Sequence, residues 1–470
     1  MRISSCSLRI GFLESLPLAM RWIFLSLVIG QGCVPQGMLQ APPRGNFYFP
    51  TGIAFAENAN SPMGFLYVAS SNFDRRYSSG SVLSVQLDNV GQTSGMRLPA
   101  IGMAPRGTPP MQLDDLGNTG QVMIQSFAGE MTKSIYGSGY RLFVPSRGDR
   151  NPLQIIEAVG ISMTCLDGSS DCEHSSPSLS AYEQVGNGVP RLVEPLGVGV
   201  GPFSNPEPQV LVTQLKSADA PAGSGNFLQT FVLSMPANDT RPVIDANNFI
   251  SLGLSALGNP FGATTNSVAV GSRFGYVTNR FKGSGGALFY LVDGQTRTFA
   301  DPALEVGFRT LEARGIALNR AETRAYVAAR SPDSLMIVSI LATSGLPTLR
   351  VLKMIPLPLG TAEVVVIERP GQGNLVAISS SSSNVVSIYD EDLGAMAAQI
   401  QGVGIQPFAL AVQQKGDAAR VFVSCFGDGR VGVIDIADVR RPQQAQLVAF
   451  LGKAQTCLVQ ETDTSCAGQR

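Results

Sequence analysis

Histidine, tryptophan and charged residues of both signs are scarce in this sequence of 470 residues. His174 is the single histidine, which excludes a metal centre built from several histidines. Trp22 is the single tryptophan and lies in an N-terminal segment that we expect to be removed. A cofactor site built on a stacked tryptophan is therefore excluded in the mature protein. Charged residues make up 15%, below the roughly 25% of a usual domain, and 34 basic against 35 acidic side chains leave a net charge of -1. This balance predicts no nucleic-acid partner, since such a partner requires a basic face.

Long apolar runs are also missing. The longest run near the N-terminus, Trp22–Gly30, follows Arg21 and would rise only about 13.5 Å as a helix, against a hydrocarbon core of about 30 Å. A basic flank, a short apolar core and small residues before a processing point are typical of a secretory signal. We therefore expect residues 1–32 to be a signal peptide, with Met20 as an alternative start codon.

The cysteine that follows this segment, Cys33, makes it similar to a bacterial lipoprotein signal. The resemblance implies that Cys33 becomes the acylated first residue and anchors the protein to the lipid bilayer. Residues 33–46 would then form a lipidated tether. Val34, rather than Asp, follows the cysteine, which by analogy with lipoprotein sorting implies the outer membrane, with the body facing the periplasm or the cell surface. A plain signal peptide, in which Cys33 is incidental, is the alternative.

The remaining cysteines fit an exported protein. Cys165 and Cys172 flank a short polar stretch, as do Cys457 and Cys466, and each pair is predicted to close a small disulfide loop. Metal binding is the alternative, but the usual Cys-x2-Cys spacing is absent. Cys425 stands within an apolar strand pattern and is expected to be a buried free thiol.

A repeated pattern of short strands is the main structural signal. Runs of Val, Ile, Leu, Phe and Tyr are cut every five to ten residues by Gly, Pro, Asn, Asp and Ser, which is typical of all-β proteins. One order of three strands recurs, and its second strand begins near residues 66, 141, 210, 275, 325, 375 and 421. The last copies are about 50 residues apart, close to the length of a four-stranded propeller blade. The sequence thus predicts a seven-bladed β-propeller with four-stranded blades over residues 47–452, followed by a disulfide-loop tail over 453–470. An irregular pair of β-sandwiches is the alternative.

Three segments, Phe274–Asn279, Ala325–Arg330 and Arg430–Asp435, resemble the YVTN-type β-propeller repeat. That family is widespread among exported and surface proteins of bacteria, so the resemblance implies a propeller in the cell envelope. The segment Asn72–Tyr77 is similar to propeller lipoproteins of predatory and soil-dwelling deltaproteobacteria. Lactonases that resemble the repeat family use carboxylates, Asn and His, or a central Ca²⁺ held by oxygen ligands.

Candidate ligand-binding residues follow the second strands of the copies, where the loops of a propeller gather ligands. Arginine dominates this set, and its forked guanidinium recognises carboxylates or phosphates in a way that lysine does not. The candidates are Asp74, Arg75, Arg147, Asn279, Arg280, Arg330 and Asp428. For each arginine, a bridge between blades or to a loop carbonyl is the alternative.

Catalytic motifs are few. The sequence has no Gly-x-Ser-x-Gly elbow and no phosphate-binding loop ending in Gly-Lys-Ser/Thr, and His174 lies in a polar stretch typical of a surface. We therefore expect a non-catalytic scaffold that binds an envelope protein, a glycan or a small ligand, with no cofactor. The alternative is an exported lactonase-like or other hydrolytic propeller with a carboxylate or Ca²⁺ centre. Convergence of carboxylates at one depth of the channel would favour the enzyme, and a channel lined by Ser, Gly and Val would favour binding.

Overall fold

The structure of the protein is a computed structural model. The described residues are 40–148, 151–173, 175–176, 191–201, 209–218, 229–234, 249–251, 265–280, 289–293, 298–302, 312–341 and 345–455. The predicted signal peptide, Cys33, His174, Cys457 and Cys466 lie outside these ranges, and so does the predicted tail beyond residue 455.

Almost all regular structure in these ranges is β-strand, which confirms the all-β prediction. Short 3-10 turns stand at Leu87–Asn89 and Pro442–Gln444. Within the described ranges, no helix has the length and apolar character needed to cross a bilayer.

The strands of the described ranges form seven sheets, numbered here in chain order, which are antiparallel except for one added strand in sheet 7. Sheet 1 comprises Pro50–Asn58, Ser61–Ser70, Gly80–Gln86 and Thr119–Ile124; sheet 2 comprises Thr132–Tyr136, Gly139–Pro145, Leu153–Val159 and Ser162–Cys165; sheet 3 comprises Arg191–Gly201, Gln209–Ala218, Gln229–Ser234 and Phe249–Ser251. Sheet 4 comprises Thr265–Val270, Phe274–Asn279, Phe289–Asp293 and Thr298–Pro302; sheet 5 comprises Glu312–Leu318, Arg324–Arg330, Ser334–Leu341 and Thr348–Pro356; sheet 6 comprises Thr361–Ile367, Leu375–Ser380, Val385–Asp390 and Ala395–Gln401; sheet 7 comprises Pro407–Lys415, Ala418–Cys425, Arg430–Ile436 and Gln446–Leu451, extended by Met111–Leu113. Each start predicted for a repeat falls within the second strand of a different sheet.

The sheets pack face to face, and the apolar core lies between them. In sheet 6 every residue of Leu375–Ser380 and Val385–Asp390 is buried, whereas the outer strand Ala395–Gln401 is mostly accessible. One core cluster joins sheets 7 and 1 through stacked Phe55 and Phe422, whose ring centroids are 6.0 Å apart. Inner strands covered on both faces read as continuous apolar runs, which explains why the sequence marks the second strands so clearly.

The first strands of the seven sheets contact one another in cyclic order. The first strands of sheets 3 to 7 contact one another in turn. The first strand of sheet 1 contacts the first strand of sheet 7, and the first strand of sheet 2 contacts the first strands of sheets 1 and 3.

A hydroxyl on the second strand bridges neighbouring sheets. Thr278 Oγ1 accepts from Ser267 N at 2.9 Å within sheet 4 and donates to Arg314 O of sheet 5 at 2.6 Å. Thr213 and Ser379 make the same pair of bonds toward the next sheet.

Both ends of the described chain take part in joining sheet 7 to sheet 1. The segment Met111–Leu113, which leaves sheet 1 between its third and fourth strands, pairs in parallel with Gln446–Leu451. Near the start of the chain, Phe47 O accepts from Gln455 Nε2 at 2.7 Å and Asn46 Oδ1 accepts from Lys453 N at 3.2 Å. The ring is therefore joined by contacts between segments several hundred residues apart in sequence.

The predicted disulfide between Cys165 and Cys172 is present, with an S–S distance of 2.00 Å. It joins the last strand of sheet 2 to a loop whose Cys172 N donates to Met123 O of sheet 1 at 2.9 Å. Cys425 is a fully buried free thiol, as expected, and burial raises the pKa of its thiol. A raised pKa keeps the thiol protonated and therefore a poor nucleophile.

Candidate ligand-binding face

The seven predicted ligand-binding residues lie at one edge of the sheets. Each stands at the end of a second strand or in the turn that follows it. Because first and second strands are antiparallel, this edge is also where the first strands begin. We call this edge of the molecule the entry face.

Several residues that introduce the first strands have a left-handed backbone. Phe49 and Gln406 immediately precede the first strands of sheets 1 and 7, with φ angles of 48° and 53°. Phe127, with φ 61°, precedes Ala128, which bridges to Ser146 ahead of the first strand of sheet 2, and Glu194, with φ 64°, lies within the first strand of sheet 3. In sheet 6 the same place is taken by Gly360, with φ 86°. Left-handed backbone costs a residue other than glycine about 1 kcal/mol or more, and such residues concentrate at functional sites.

Four guanidinium groups influence one another on the entry face, namely those of Arg147, Arg280, Arg314 and Arg330, which we call the arginine cluster. The pKa of Arg314 is lowered to about 10, chiefly by burial and then by the positive charges of Arg330 and Arg280, against the opposing effect of Glu312. Burial also lowers the pKa of Arg147 and of Arg330, and Arg280 contributes to both. The cluster unites two residues that follow the second strands of sheets 2 and 4 with the last residue of the second strand of sheet 5 and one from the first strand of sheet 5.

Carboxylates offset only part of this charge. Glu312 Oε1 pairs with Arg314 Nη2 and lies 3.4 Å from Arg280 Nε. Glu194 and Asp333 favour the charged forms of Arg147 and Arg330, respectively. Asp333 Oδ1 also accepts from the backbone N–H groups of Gly360 and Thr361, at 3.0 and 2.7 Å. Among the described residues that act on the arginine cluster, four arginines stand against these three carboxylates, an excess of one positive charge.

The members of the cluster differ in how far they are already engaged. Arg330 Nη2 donates to Gly360 O at 3.0 Å and to Ser381 Oγ at 3.3 Å, so it bridges sheets 5 and 6 as the alternative interpretation expected. In contrast, Arg147 Nε and Arg314 Nε are buried and have no hydrogen-bond partner in the described part of the protein. Buried donors without partners are costly, so these two guanidinium groups are incompletely satisfied in the described structure.

Two glutamates lie deeper, at a shared position of the first strands. Six first strands, those of sheets 1 and 3 to 7, open with a register shift. In sheets 3 to 7 the shared position is the last residue that the shift skips, and Gly52 and Glu130 occupy the matching place in sheets 1 and 2. The residues at this position in sheets 1 to 7 are Gly52, Glu130, Gly197, Ser267, Gly315, Glu363 and Ala409. Ser267 Oγ of sheet 4 donates to Glu130 Oε2 at 3.1 Å, across the position of Gly197 in sheet 3.

Burial shifts the acidity of both carboxyl groups. Burial raises the pKa of Glu130 well above its ordinary value, and the charge of Glu363 raises it further. Burial raises the pKa of Glu363 to about 7. A Cβ at Gly315 would lie 2.8 Å from the Cα of Glu363, so a glycine is needed beside this residue. The pair therefore retains a proton at pH values where an ordinary glutamate is fully ionised.

No family model matches this sequence, and no curated protein matches it. Among solved structures, the β-propeller domain of Cps50 (Swd1) from Myceliophteria thermophila is similar at 11% identity, over 82% of this chain and 96% of that one, with a TM-score of 0.50. Hydrazine synthase from Kuenenia stuttgartiensis is 12% identical over 87% of this chain and 100% of that one, with a TM-score of 0.48. The Dos1 propeller is 11% identical over 84% and 82%, with a TM-score of 0.45.

This chain has a β-propeller fold. In a propeller the first strands surround a central channel, so Glu130 and Glu363 point toward its axis and the arginine cluster lies near its mouth. The other positions at the level of the two glutamates carry glycine, serine or alanine. At this level the channel has two carboxyl groups, the feature expected of an enzyme. The other side chains at this level are small, the feature expected of a binding scaffold.

The remaining predicted residues are not part of the arginine cluster. Asp74 forms an exposed ion pair with Arg76 at 3.0 Å, and the Arg75 guanidinium lies 5.0 Å from the centre of the Phe127 ring. Asp428 Oδ2 pairs with Arg430 Nη2 at 2.6 Å and accepts from Ile405 N at 3.1 Å, so it holds a turn of sheet 7. Asn279 is buried at the end of its strand.

Sequence reasoning missed an aromatic cluster on the entry face, formed by Phe49, Phe73, Phe127 and Phe426. Neighbouring ring centroids in this cluster are 5.0 to 6.0 Å apart, and half of the Phe73 surface is exposed. Phe127 O accepts from Arg147 N at 3.1 Å, which joins the aromatic cluster to the arginine cluster. The members of the aromatic cluster come from three separate sheets. Each is an aromatic residue near the start of a first strand or the end of a second strand, and this pattern in the sequence could have predicted the cluster.

Proposed function

We propose that this protein is a lipid-anchored, exported propeller of seven blades that binds an anionic ligand at the mouth of its channel and does not transform it. The blade count is supported by the seven sheets and by the cyclic contacts of their first strands. The anchor at Cys33, the outer-membrane location and an envelope partner, glycan or small ligand are supported by the lipoprotein-like signal alone.

The arginine cluster is the observation that carries this proposal. The positive charge of Arg280 lowers the pKa of Arg147, Arg314 and Arg330, which is the sign of repulsion between guanidinium groups, and a bound anion relieves that repulsion. The forked geometry of arginine suits carboxylate, phosphate and sulfate oxygens. The two partnerless donors, Arg147 Nε and Arg314 Nε, are enclosed, and they would gain hydrogen bonds from the same ligand once their guanidinium groups turn toward it.

The test is isothermal titration of the mature protein with sulfate and with citrate. We expect Arg314→Gln and Arg147→Gln to weaken binding by about tenfold or more, which corresponds to about 1.4 kcal/mol. Arg350→Gln is the matched control, because Arg350 lies on the exposed outer strand of sheet 5. Equal affinity of the wild type and the Arg314→Gln variant for both anions would refute the proposal.

A hydrolytic propeller is a second candidate, favoured by the two carboxyl groups at one depth. A carboxyl whose pKa lies near 7, as that of Glu363 does, is suited to general acid–base work at neutral pH. In the part of the chain that the structure describes, no group of three or more His, Cys, Asp or Glu side chains is arranged to hold a metal ion. Hydrolysis of a lactone panel by the wild type and its loss in Glu363→Gln would establish this candidate in place of the first.

A further inference from the structure

A separate cavity of about 220 Å³ opens on the entry face between sheets 1 and 2. Its walls include Arg75 from the turn after the second strand of sheet 1 and Glu173 from the disulfide loop. The neutral part of the wall includes Ser79, Gln125, Ser126 and Phe127. None of these residues belongs to the arginine cluster.

The cavity has one positive and one negative group that do not neutralise each other. In the described part of the protein, neither Arg75 nor Glu173 forms an ion pair. The Arg75 guanidinium contacts the Phe127 ring, at 5.0 Å from its centre. Two opposite charges that line one cavity without pairing favour a ligand that carries both complementary charges.

Both charged residues are carried by restrained segments. Asn72 closes the turn that holds Arg75, because its side chain donates to Tyr77 O at 2.8 Å and accepts from Tyr77 N at 3.0 Å. Glu173 follows Cys172, which is fixed by the disulfide to Cys165. Segments that are ordered before binding lose less conformational entropy when a ligand arrives.

The neutral wall adds polar groups without partners. Ser79 and Gln125 are only 8% and 6% exposed, and their Oγ and Oε1 atoms have no hydrogen-bond partner in the described structure. Ser126 Oγ accepts from Asn72 Nδ2 at 3.0 Å, so its own proton remains available for donation. Ser79 Oγ and Gln125 Oε1 are enclosed in the wall, so a ligand would reach them only after their side chains rotate, and such a bond would satisfy two buried atoms that now lack partners.

We propose that this cavity binds a free amino acid with a small side chain. The ligand carboxylate pairs with Arg75 and its ammonium group pairs with Glu173, so that both charges of the wall are compensated at once. A ligand with one charge would leave the opposite wall uncompensated. The cavity is smaller than the roughly 300 Å³ at which pockets for drug-sized molecules begin, which restricts the side chain to a small one.

The test is isothermal titration of the mature protein with L-alanine and L-serine, and with propionate and ethylammonium as single-charge probes. We expect each amino acid to bind at least tenfold more tightly than either single-charge probe. Arg75→Gln and Glu173→Gln should each weaken amino-acid binding by at least tenfold. Arg76→Gln and Asp167→Asn are matched controls, since they change a neighbouring charge on the same two segments and should leave affinity unchanged.

Two results would overturn the proposal: no measurable binding of either amino acid at about 10 mM, or equal binding of propionate and L-alanine. Arg75 is exposed, so its variants are expected to fold, and the melting temperature of each variant verifies this. Arg75→Lys gives a second measurement, in which the charge stays and an intermediate loss is expected. Sulfate binding by Arg75→Gln and L-alanine binding by Arg314→Gln should both stay at wild-type strength, so failure here and failure of the proposed anion site are distinguishable.

Discussion

At the scale of single residues, the molecule places ionisable groups where water cannot fully solvate them. Arg420 is completely buried, and it makes two bonds to Asp435, at 2.6 and 2.9 Å, and one to Pro99 O at 2.8 Å. Arg369 makes a similar fork with Asp390 in sheet 6, and Arg273 pairs with Asp293 in sheet 4. The three aspartates hold equivalent places on the third strands, so these three arginines serve the structure of their own sheets.

Replacing Arg420 by methionine should destabilise the protein by about 3 to 5 kcal/mol, because Asp435 is then left as a buried charge without a partner. Urea unfolding followed by circular dichroism measures the loss. The double variant R420M/D435N should recover part of it, since the charge is removed from the partner as well. Arg440→Met, at an exposed ion pair, is the control and should change stability by less than about 1 kcal/mol.

Glu363 makes stability depend on pH in a defined direction. Its pKa is raised to about 7 in the folded protein, so the protonated form is favoured by folding. This contribution is fully present below the ordinary glutamate pKa and is lost as the pH rises toward 7. Glu363→Gln should therefore raise the melting temperature at pH 8 and leave it nearly unchanged at pH 4, with a gain of about 3 kcal/mol at the higher pH. A wild-type stability that rises between pH 5 and 7 in step with the variant would contradict this assignment.

At the scale of strands, the hydroxyl on the second strand links one sheet to the next. Thr278→Val keeps the shape of the side chain but removes the acceptor for Ser267 N and the donor to Arg314 O. We expect a loss of about 1 to 3 kcal/mol, the cost of leaving buried polar groups unpaired. Thr348→Val, on an exposed outer strand, should change stability by less than about 0.5 kcal/mol. Equal effects of the two substitutions in thermal unfolding would show that the bridge has no stabilising role.

The second strands and the positions of most candidate residues were predictable from sequence, because buried strands form continuous apolar runs and the candidates follow them directly. The disulfide between Cys165 and Cys172 was predictable from spacing and the polar loop between them. The grouping of Arg314, Glu130 and Glu363 could not be predicted from the sequence. These residues stand where first strands begin, and only the ring of sheets brings them together. The pairing of Met111–Leu113 with sheet 7 was equally hidden, because it joins segments more than 300 residues apart.

At the scale of the whole molecule, a tightly bound structural metal would reveal itself in thermal stability. We expect EDTA to leave the melting temperature of the mature protein unchanged, in line with a ligand-binding propeller that has no cofactor. A ligand that binds only the folded state raises the melting temperature by mass action. A clear fall with EDTA that is reversed by Ca²⁺ would instead support the hydrolytic candidate and direct the search to lactones.

Lipid attachment at Cys33 is tested by cell fractionation. The wild type should be recovered with membranes, and Cys33→Ser should be recovered in the soluble fraction, since the proposed anchor is then lost. Mass spectrometry of the mature N-terminus provides the direct measurement. A Cys33→Ser protein that stays with the membrane would contradict the lipid anchor.

The start of the described chain has a consequence for orientation. Gln40 O accepts from Ser78 N, in the region of the second-strand turn of sheet 1, so the chain joins the body at the entry face. Residues 34–39 lie between an acylated Cys33 and that point, and a fully extended segment of this length spans about 25 Å at most. A propeller anchored in this way would have its channel mouth turned toward the bilayer. The distance between the entry face and the lipid would be no greater than the thickness of the membrane itself. Ligands would then reach the face only from the narrow layer between protein and lipid, which selects for small solutes or for molecules presented by the membrane.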